Sequence, residues 1–227
     1  MKNQLNAGIM EEKKYRYIAI EGVFSCGKRQ LAEQIADALQ AEKLFDETSN
    51  PFLEQFYKNV PGSAFQAQLF FLLNRHQLMQ NLNQPSLFHE AKVSDFLLEK
   101  DRIYAYLNLS DGELMLYEKL YKNLALQDTT PDLVIYMQVT SETVKANLKK
   151  MKMRGAYGLY TVSDTYIHEL IEAYNTFFFS HYKAAPVIVL NANHMNFEYD
   201  KQSFNEFLNV LSQTHVGLRY FTPYKLG

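Results

Sequence analysis

Short apolar runs alternate along this chain with longer stretches whose apolar residues recur every three or four positions. The first pattern belongs to buried strands and the second to amphipathic helices. Tyr15–Ile20 is apolar, β-branched in part, and runs into Glu21-Gly22, so a buried strand is expected there. Gln30–Ala41 follows with Leu31, Ile35, Ala38 and Leu39 on one helical face. A short strand is expected around Leu44, and Phe65–Leu82 reads as a long helix with apolar residues on more than one face. Lys92–Asp95 suits a strand end, Glu113–Leu124 a helix, and Asp132–Met137, after Pro131, a clear strand. Ser141 is a good N-cap for a helix over Ser141–Met153, with Val144, Leu148 and Met151 on one face. Asp164–Tyr182 predicts another helix, Pro186–Leu190 a strand and Ser203–Leu211 a last helix.

Strand and helix therefore alternate from end to end. That order predicts an α/β fold with a parallel sheet covered by helices on both faces. Ligands of such sheets bind beyond the C-terminal ends of the strands. The chemistry is expected at Glu21–Arg29, at Asp46 and Glu47, at Asp95, and after Met137. Residues 1–14 carry charges and no apolar period and read as a flexible leader; 15–227 reads as one domain.

Composition narrows the function classes. Of 227 residues 47% are hydrophobic, which is enough for a packed core. The 23 Lys and Arg against 25 Asp and Glu leave a net charge of −2, with no basic excess to favour a nucleic-acid polymer or a membrane surface. No apolar run approaches the roughly 20 residues of a membrane span, and no signal peptide is visible. The single cysteine, Cys26, cannot form an internal disulfide, and a reducing cytoplasm is expected.

The strongest local motif is Gly22-Val-Phe-Ser25-Cys26-Gly27-Lys28-Arg29, spaced G-x-x-x-x-G-K between an expected strand and helix. That is the setting of a phosphate-binding loop. Small residues let backbone N–H groups converge on a phosphate, the helix adds the positive end of its dipole, and Lys28 reaches the terminal phosphates. The next position usually carries a Ser or Thr hydroxyl that binds Mg²⁺. Here it is Arg29, whose guanidinium cannot ligate a metal but can pair with phosphate. Cys26 lies inside the loop, so its oxidation is expected to block nucleotide binding.

Four further stretches carry a resemblance. They are Asn50-Pro-Phe-Leu-Glu-Gln-Phe-Tyr57, Ala64-Phe-Gln-Ala-Gln-Leu-Phe-Phe-Leu-Leu-Asn-Arg75, Val93-Ser-Asp-Phe-Leu-Leu-Glu-Lys-Asp-Arg-Ile-Tyr-Ala105-Tyr-Leu-Asn-Leu-Ser110, and Pro131-Asp-Leu-Val-Ile-Tyr-Met-Gln138. Together, and in this order, they resemble the deoxynucleoside kinase family, above all its bacterial deoxyadenosine/deoxyguanosine kinases. The resemblance implies a P-loop kinase fold with a five-stranded parallel sheet, and a homodimer. It implies transfer of the γ-phosphoryl group of ATP, with Mg²⁺, to the 5′-hydroxyl of a deoxynucleoside, a purine being favoured. By motif, Gln68 and Asp101 look like the groups that hydrogen-bond the base, and Arg75 sits at the base-side arginine. Tyr57 resembles the tyrosine that meets the sugar 3′-hydroxyl, and Phe65 helps to line the base pocket. Asp95 matches the acid that holds Mg²⁺ directly or through water, and Arg154 the first arginine of a phosphate-gripping lid. Independently of the resemblance, Gln68 and Arg75 lie two helical turns apart and so share one face of the long helix.

The departures from the family's pattern concentrate on the phosphate side. Arg29 replaces the Mg²⁺ hydroxyl, and Ala156 replaces the second arginine of the lid. Counting back from Asn50-Pro51 places Phe45 where the family's catalytic carboxylate stands, so Asp46 or Glu47 takes that role if the loop is shorter by one or two residues. Two readings follow: a divergent deoxynucleoside kinase, or a non-catalytic relative that binds nucleotide or nucleoside or acts as an interaction protein.

Overall fold

The computed structural model describes residues 15–47, 49–82, 84, 89–124, 130–153, 162–193, 201–213 and 215–223. Among these residues there are six strands: β1 (Tyr17–Glu21), β2 (Glu42–Leu44), β3 (Lys92–Ser94), β4 (Leu133–Gln138), β5 (Val187–Asn191) and β6 (Leu218–Phe221). They form one sheet in the order β2-β3-β1-β4-β5-β6, and every neighbouring pair is parallel. The helices are α1 (Lys28–Leu39), α2 (Leu53–Tyr57), α3 (Ser63–Leu82), α4 (Lys100–Asn108), α5 (Asp111–Leu124), α6 (Ser141–Met153), α7 (Asp164–Thr176) and α8 (Lys201–Leu211).

The sheet has one strand more than the five that the resemblance implies. The addition is β6, which pairs with β5 at the edge, Val187 opposite Leu218 through Leu190 opposite Phe221. Its residues are mostly exposed, so it lacks the apolar run by which the buried strands are legible. β1 is buried along its whole length and β4 and β5 at all but their last residue, as parallel strands covered on both faces must be.

Several element ends differ from the sequence expectation. α6 begins at Ser141, but the cap is Thr140, whose hydroxyl accepts from the Thr143 N–H at 3.4 Å. The expected helix over Asp164–Tyr182 is α-helical only to Thr176 and then widens into a π-turn over Phe177–His181. Its wider spacing closes with the Tyr182 N–H on the Phe177 carbonyl at 2.8 Å. The turn buries Phe178, whose ring stacks on Tyr136 of β4 at 4.3 Å between centroids. The Phe-rich stretch is thus core. Two short helices, α2 and α4, were not expected as helices at all.

The register explains where the site lies. Leu44 is opposite Ser94, and Ser94 is opposite Ala19. Glu21, Asp46 and Asp95 therefore emerge side by side at the C-terminal edge of β1, β2 and β3.

Candidate active site

The loop after β1 is folded for anion binding. Gly27 has φ 90°, in the left-handed region open to glycine, and caps α1 immediately before Lys28. Ser25 also has a positive φ of 61°, and is held by Asn147 of α6, whose Nδ2 donates to the Ser25 carbonyl at 2.8 Å. Gly22 has no room for a side chain, because a Cβ there would meet the Met137 carbonyl and the Cys26 sulfur at 2.8 Å each. Cys26 is buried, and burial pushes its thiol up to about 11. It packs against Gly22 at the base of the loop, where a thiol so raised is little ionised at neutral pH. The Lys28 ammonium donates to the Gly22 carbonyl at 3.3 Å and to Glu21 Oε1 at 3.0 Å.

Glu21 is fully buried and anchors the cation side of the site. It accepts from the Gly22 N–H at 2.8 Å, the Leu97 N–H at 2.9 Å and the Tyr174 hydroxyl at 3.2 Å, and lies 3.6 Å from the Lys100 ammonium. Burial alone would disfavour its charge, but Lys100, Lys28 and the two N–H groups hold its carboxyl below the usual range. Lys100, itself buried, also donates to Asp46 Oδ2 at 3.1 Å.

Asp46 is the acid that the fold turns inward. Arg75 grips it with Nη2 at 2.6 Å and Nε at 3.1 Å. Burial opposes ionisation, yet Arg75 and Lys100 hold its carboxyl far below the usual carboxylate range. Glu47 is exposed and its Oε1 accepts from the Ser49 N–H and hydroxyl, both at 2.8 Å. Asp95 has both oxygens engaged: Oδ2 by Arg29 Nε at 2.5 Å and Oδ1 by the Asp46 N–H at 2.7 Å.

Beside this cluster is a cavity of about 230 Å³. Tyr57, Gln68, Phe71, Arg75 and Tyr104 line it, and Lys28, Arg29, Asp46, Glu47, Asp95 and Lys100 form its charged end. Apolar walls with a few converging polar groups are the ordinary make-up of a small-molecule site. The Asn50-Pro51 loop is pinned to α3 by Asn50 Nδ2 on the Ala67 carbonyl at 2.9 Å, which sets α2 and Tyr57 across from α3. On α3 the lining residues Ala64, Ala67, Gln68, Phe71 and Arg75 follow one helical stripe. Phe65 lies off that stripe and packs instead with Leu69 against Leu72, Ala105 and Tyr117, so it is not among the cavity's lining. Asp101 is fully buried behind the wall. It is ion-paired to Arg75 Nη1, accepts from the Tyr117 hydroxyl at 2.8 Å, and its carbonyl accepts from Gln68 Nε2 at 2.8 Å. Asp101 therefore supports the two lining side chains and does not itself line the cavity. Burial raises its pKa, against the pull of Arg75.

The structure thus brings Gly22, Lys28, Arg29, Asp46, Asp95, Tyr57, Gln68 and Arg75 to one place, with Asp101 behind them. Arg154 and Ala156 lie outside the described residues. The sequence places Glu21 at the start of the expected site without a role of its own, and gives Lys100 none. The donor set does not fit a protein-held Mg²⁺. Arg29 stands where a hydroxyl would ligate, both Asp95 oxygens have other partners, and among the described residues no three His, Cys, Asp or Glu side chains are placed to hold a metal ion together.

Comparison with known proteins finds related sequences and a similar fold. The family model "Deoxynucleoside kinase" matches residues 18–216. A deoxyguanosine kinase of Bacillus subtilis is 26% identical over 193 residues, covering 83% of this chain and 92% of its own. A deoxyadenosine kinase of Dictyostelium discoideum is 31% identical over 181 residues, covering 77% of this chain and 71% of its own. The solved structure of deoxyadenosine kinase from M. mycoides with bound dCTP superposes with a TM-score of 0.69 at 25% identity, over 86% of this chain and 99% of that one.

Proposed function

Because the chain belongs to the deoxynucleoside kinase family, an ATP-dependent kinase family, we propose that the cavity holds a deoxynucleoside, a purine by preference, and that its 5′-hydroxyl is phosphorylated beside Asp46. Gln68 and Arg75 face the base and Tyr57 the sugar. The ATP phosphates lie along Gly22–Arg29, with Lys28 moving from Glu21 to meet them.

One observation carries the assignment. The Asp46 carboxylate lines the same cavity as Gln68 and Arg75, while its backbone carbonyl accepts from Arg29 of the phosphate loop at 2.6 Å. It sits at the junction of nucleoside and phosphate. Phosphoryl transfer needs little covalent help from the protein, so positioning and charge dominate. Held ionised by Arg75 and Lys100, Asp46 accepts a hydrogen bond from the 5′-hydroxyl, aligns it with the γ-phosphorus, and receives its proton as the new P–O bond forms and the bond from the γ-phosphorus to the β-phosphate oxygen breaks, releasing ADP. Glu47, bonded to Ser49 and exposed, is the weaker choice for this role. Asp101 acts through Arg75 and Gln68, fixing the donors that read the base. The purine preference is supported by the deoxyguanosine and deoxyadenosine kinases among the relatives.

The test is turnover. Purified chain is incubated with ATP and each of the four deoxynucleosides, and the 5′-monophosphates are separated by chromatography. Product is expected from deoxyadenosine or deoxyguanosine ahead of the pyrimidines. Product from none of the four contradicts the proposal and supports the non-catalytic alternative; pyrimidine product alone contradicts the base preference.

A further inference from the structure

Arg29 occupies a position with its own geometry. The guanidinium spans two carboxylate-bearing segments, its Nε on Asp95 Oδ2 at 2.5 Å and its Nη2 on the Asp46 carbonyl at 2.6 Å. The Phe45 ring lies 4.5 Å from the guanidinium carbon, a cation–π contact that fixes the plane. A guanidinium has five N–H donors, and these two bonds use two of them. The remaining donors belong to a side chain 36% exposed, at the phosphate end of the cavity. One fixed positive charge thus joins the β2 edge, the β3 edge and the mouth of the phosphate loop.

We propose that Arg29 fills the place of a protein-held divalent cation, so that nucleotide phosphate binds this chain without one. The inference rests on reading Gly22–Arg29 as the triphosphate cradle. It follows from charge and coordination. The Asp95 carboxylate is neutralised by a tethered cation, each of its oxygens already has a partner, and a free ion would have to compete with an ion pair to enter. The guanidinium then offers its other N–H groups to phosphate oxygens, a pairing that suits its planar fork.

Titration calorimetry of ATP into the full chain, once in EDTA and once in excess Mg²⁺, tests this. The wild type is expected to bind with dissociation constants within about threefold of one another, and Arg29→Thr at least about tenfold more tightly with Mg²⁺ than without. A wild type that binds ATP tenfold or more weakly in EDTA overturns the proposal and leaves the phosphate-loop reading intact. No binding in either buffer overturns that reading, and this proposal with it. A folded Arg29→Thr protein, by an unchanged melting transition, whose ATP affinity ignores Mg²⁺ also overturns it. If that variant does not fold, the wild-type comparison decides alone.

Discussion

Lys100 is the residue on which the balance of charges turns. Its side chain is 4% exposed and stands between Asp46 at 3.1 Å and Glu21 at 3.6 Å. Burial, with repulsion from Lys28 and Arg75, outweighs the attraction of the two carboxylates and pushes its ammonium down to about 8. Its charge is therefore present at neutral pH and lost as pH rises through about 8. The folded value lies below the unfolded one, about 10.4. Between the two the unfolded chain holds more protons, so this group's contribution to stability grows with pH. Activity moves the other way, because Asp46 loses a partner. We expect kcat/KM for the deoxynucleoside to fall above about pH 8, and Lys100→Arg, always charged, to remove that fall. A profile flat to pH 10 in the wild type would contradict the role, which a pH–rate series with both proteins would reveal. Glu-Lys-Asp-Arg is the kind of run that usually faces solvent, so nothing at sequence level marks Lys100. The choice between Asp46 and Glu47 was likewise open in the sequence, since strand spacing alone does not say which of two adjacent acids turns inward.

Among the elements, the phosphate loop and α3 were the most legible. The loop has a fixed spacing between a buried strand and a helix, and the α3 stripe follows from the helical period. The resemblance, not the period, put Phe65 in the pocket; apolar residues cover more than one face of α3, and Phe65 lies on the face that packs against Leu72, Ala105 and Tyr117. α2, with five residues, is too short to show a period, and α4 carries four charged or polar residues among nine. The π-turn after α7 depends on how Phe178 packs on Tyr136, a tertiary contact with no local signature. A prediction belongs to the loop. Gly22→Ala sets a Cβ against the Met137 carbonyl, part of the β4 backbone, so the loop must shift. Overpacking of this kind costs about 1–3 kcal/mol. We expect a lower melting temperature and weaker ATP binding by calorimetry. A variant with wild-type values for both would show that the loop does not need this close approach.

Across the whole molecule, the parallel register gathers Glu21, Asp46 and Asp95 at one edge of the sheet, and α3 and α4 bring Arg75, Lys100 and Asp101 to meet them. With Lys28 and Arg29 this makes four cations facing four carboxylates. A net charge near zero conceals this local order. The α/β class was readable because alternating buried strands and amphipathic helices leave few other arrangements. The edge strand β6 was not, being short and exposed. The central claim is that this cluster transfers a phosphoryl group to a nucleoside in the adjoining cavity. It is tested most directly by phosphorus NMR of ATP and a purine deoxynucleoside with the wild type and with Asp46→Asn, alongside nucleoside binding by calorimetry. The account predicts ADP and deoxynucleoside 5′-monophosphate in equal amounts from the wild type. From Asp46→Asn it predicts a rate lower by about 10²–10⁴-fold, the usual worth of a positioned general base, with the nucleoside still bound. ADP without monophosphate, or equal rates from the two proteins, would contradict it.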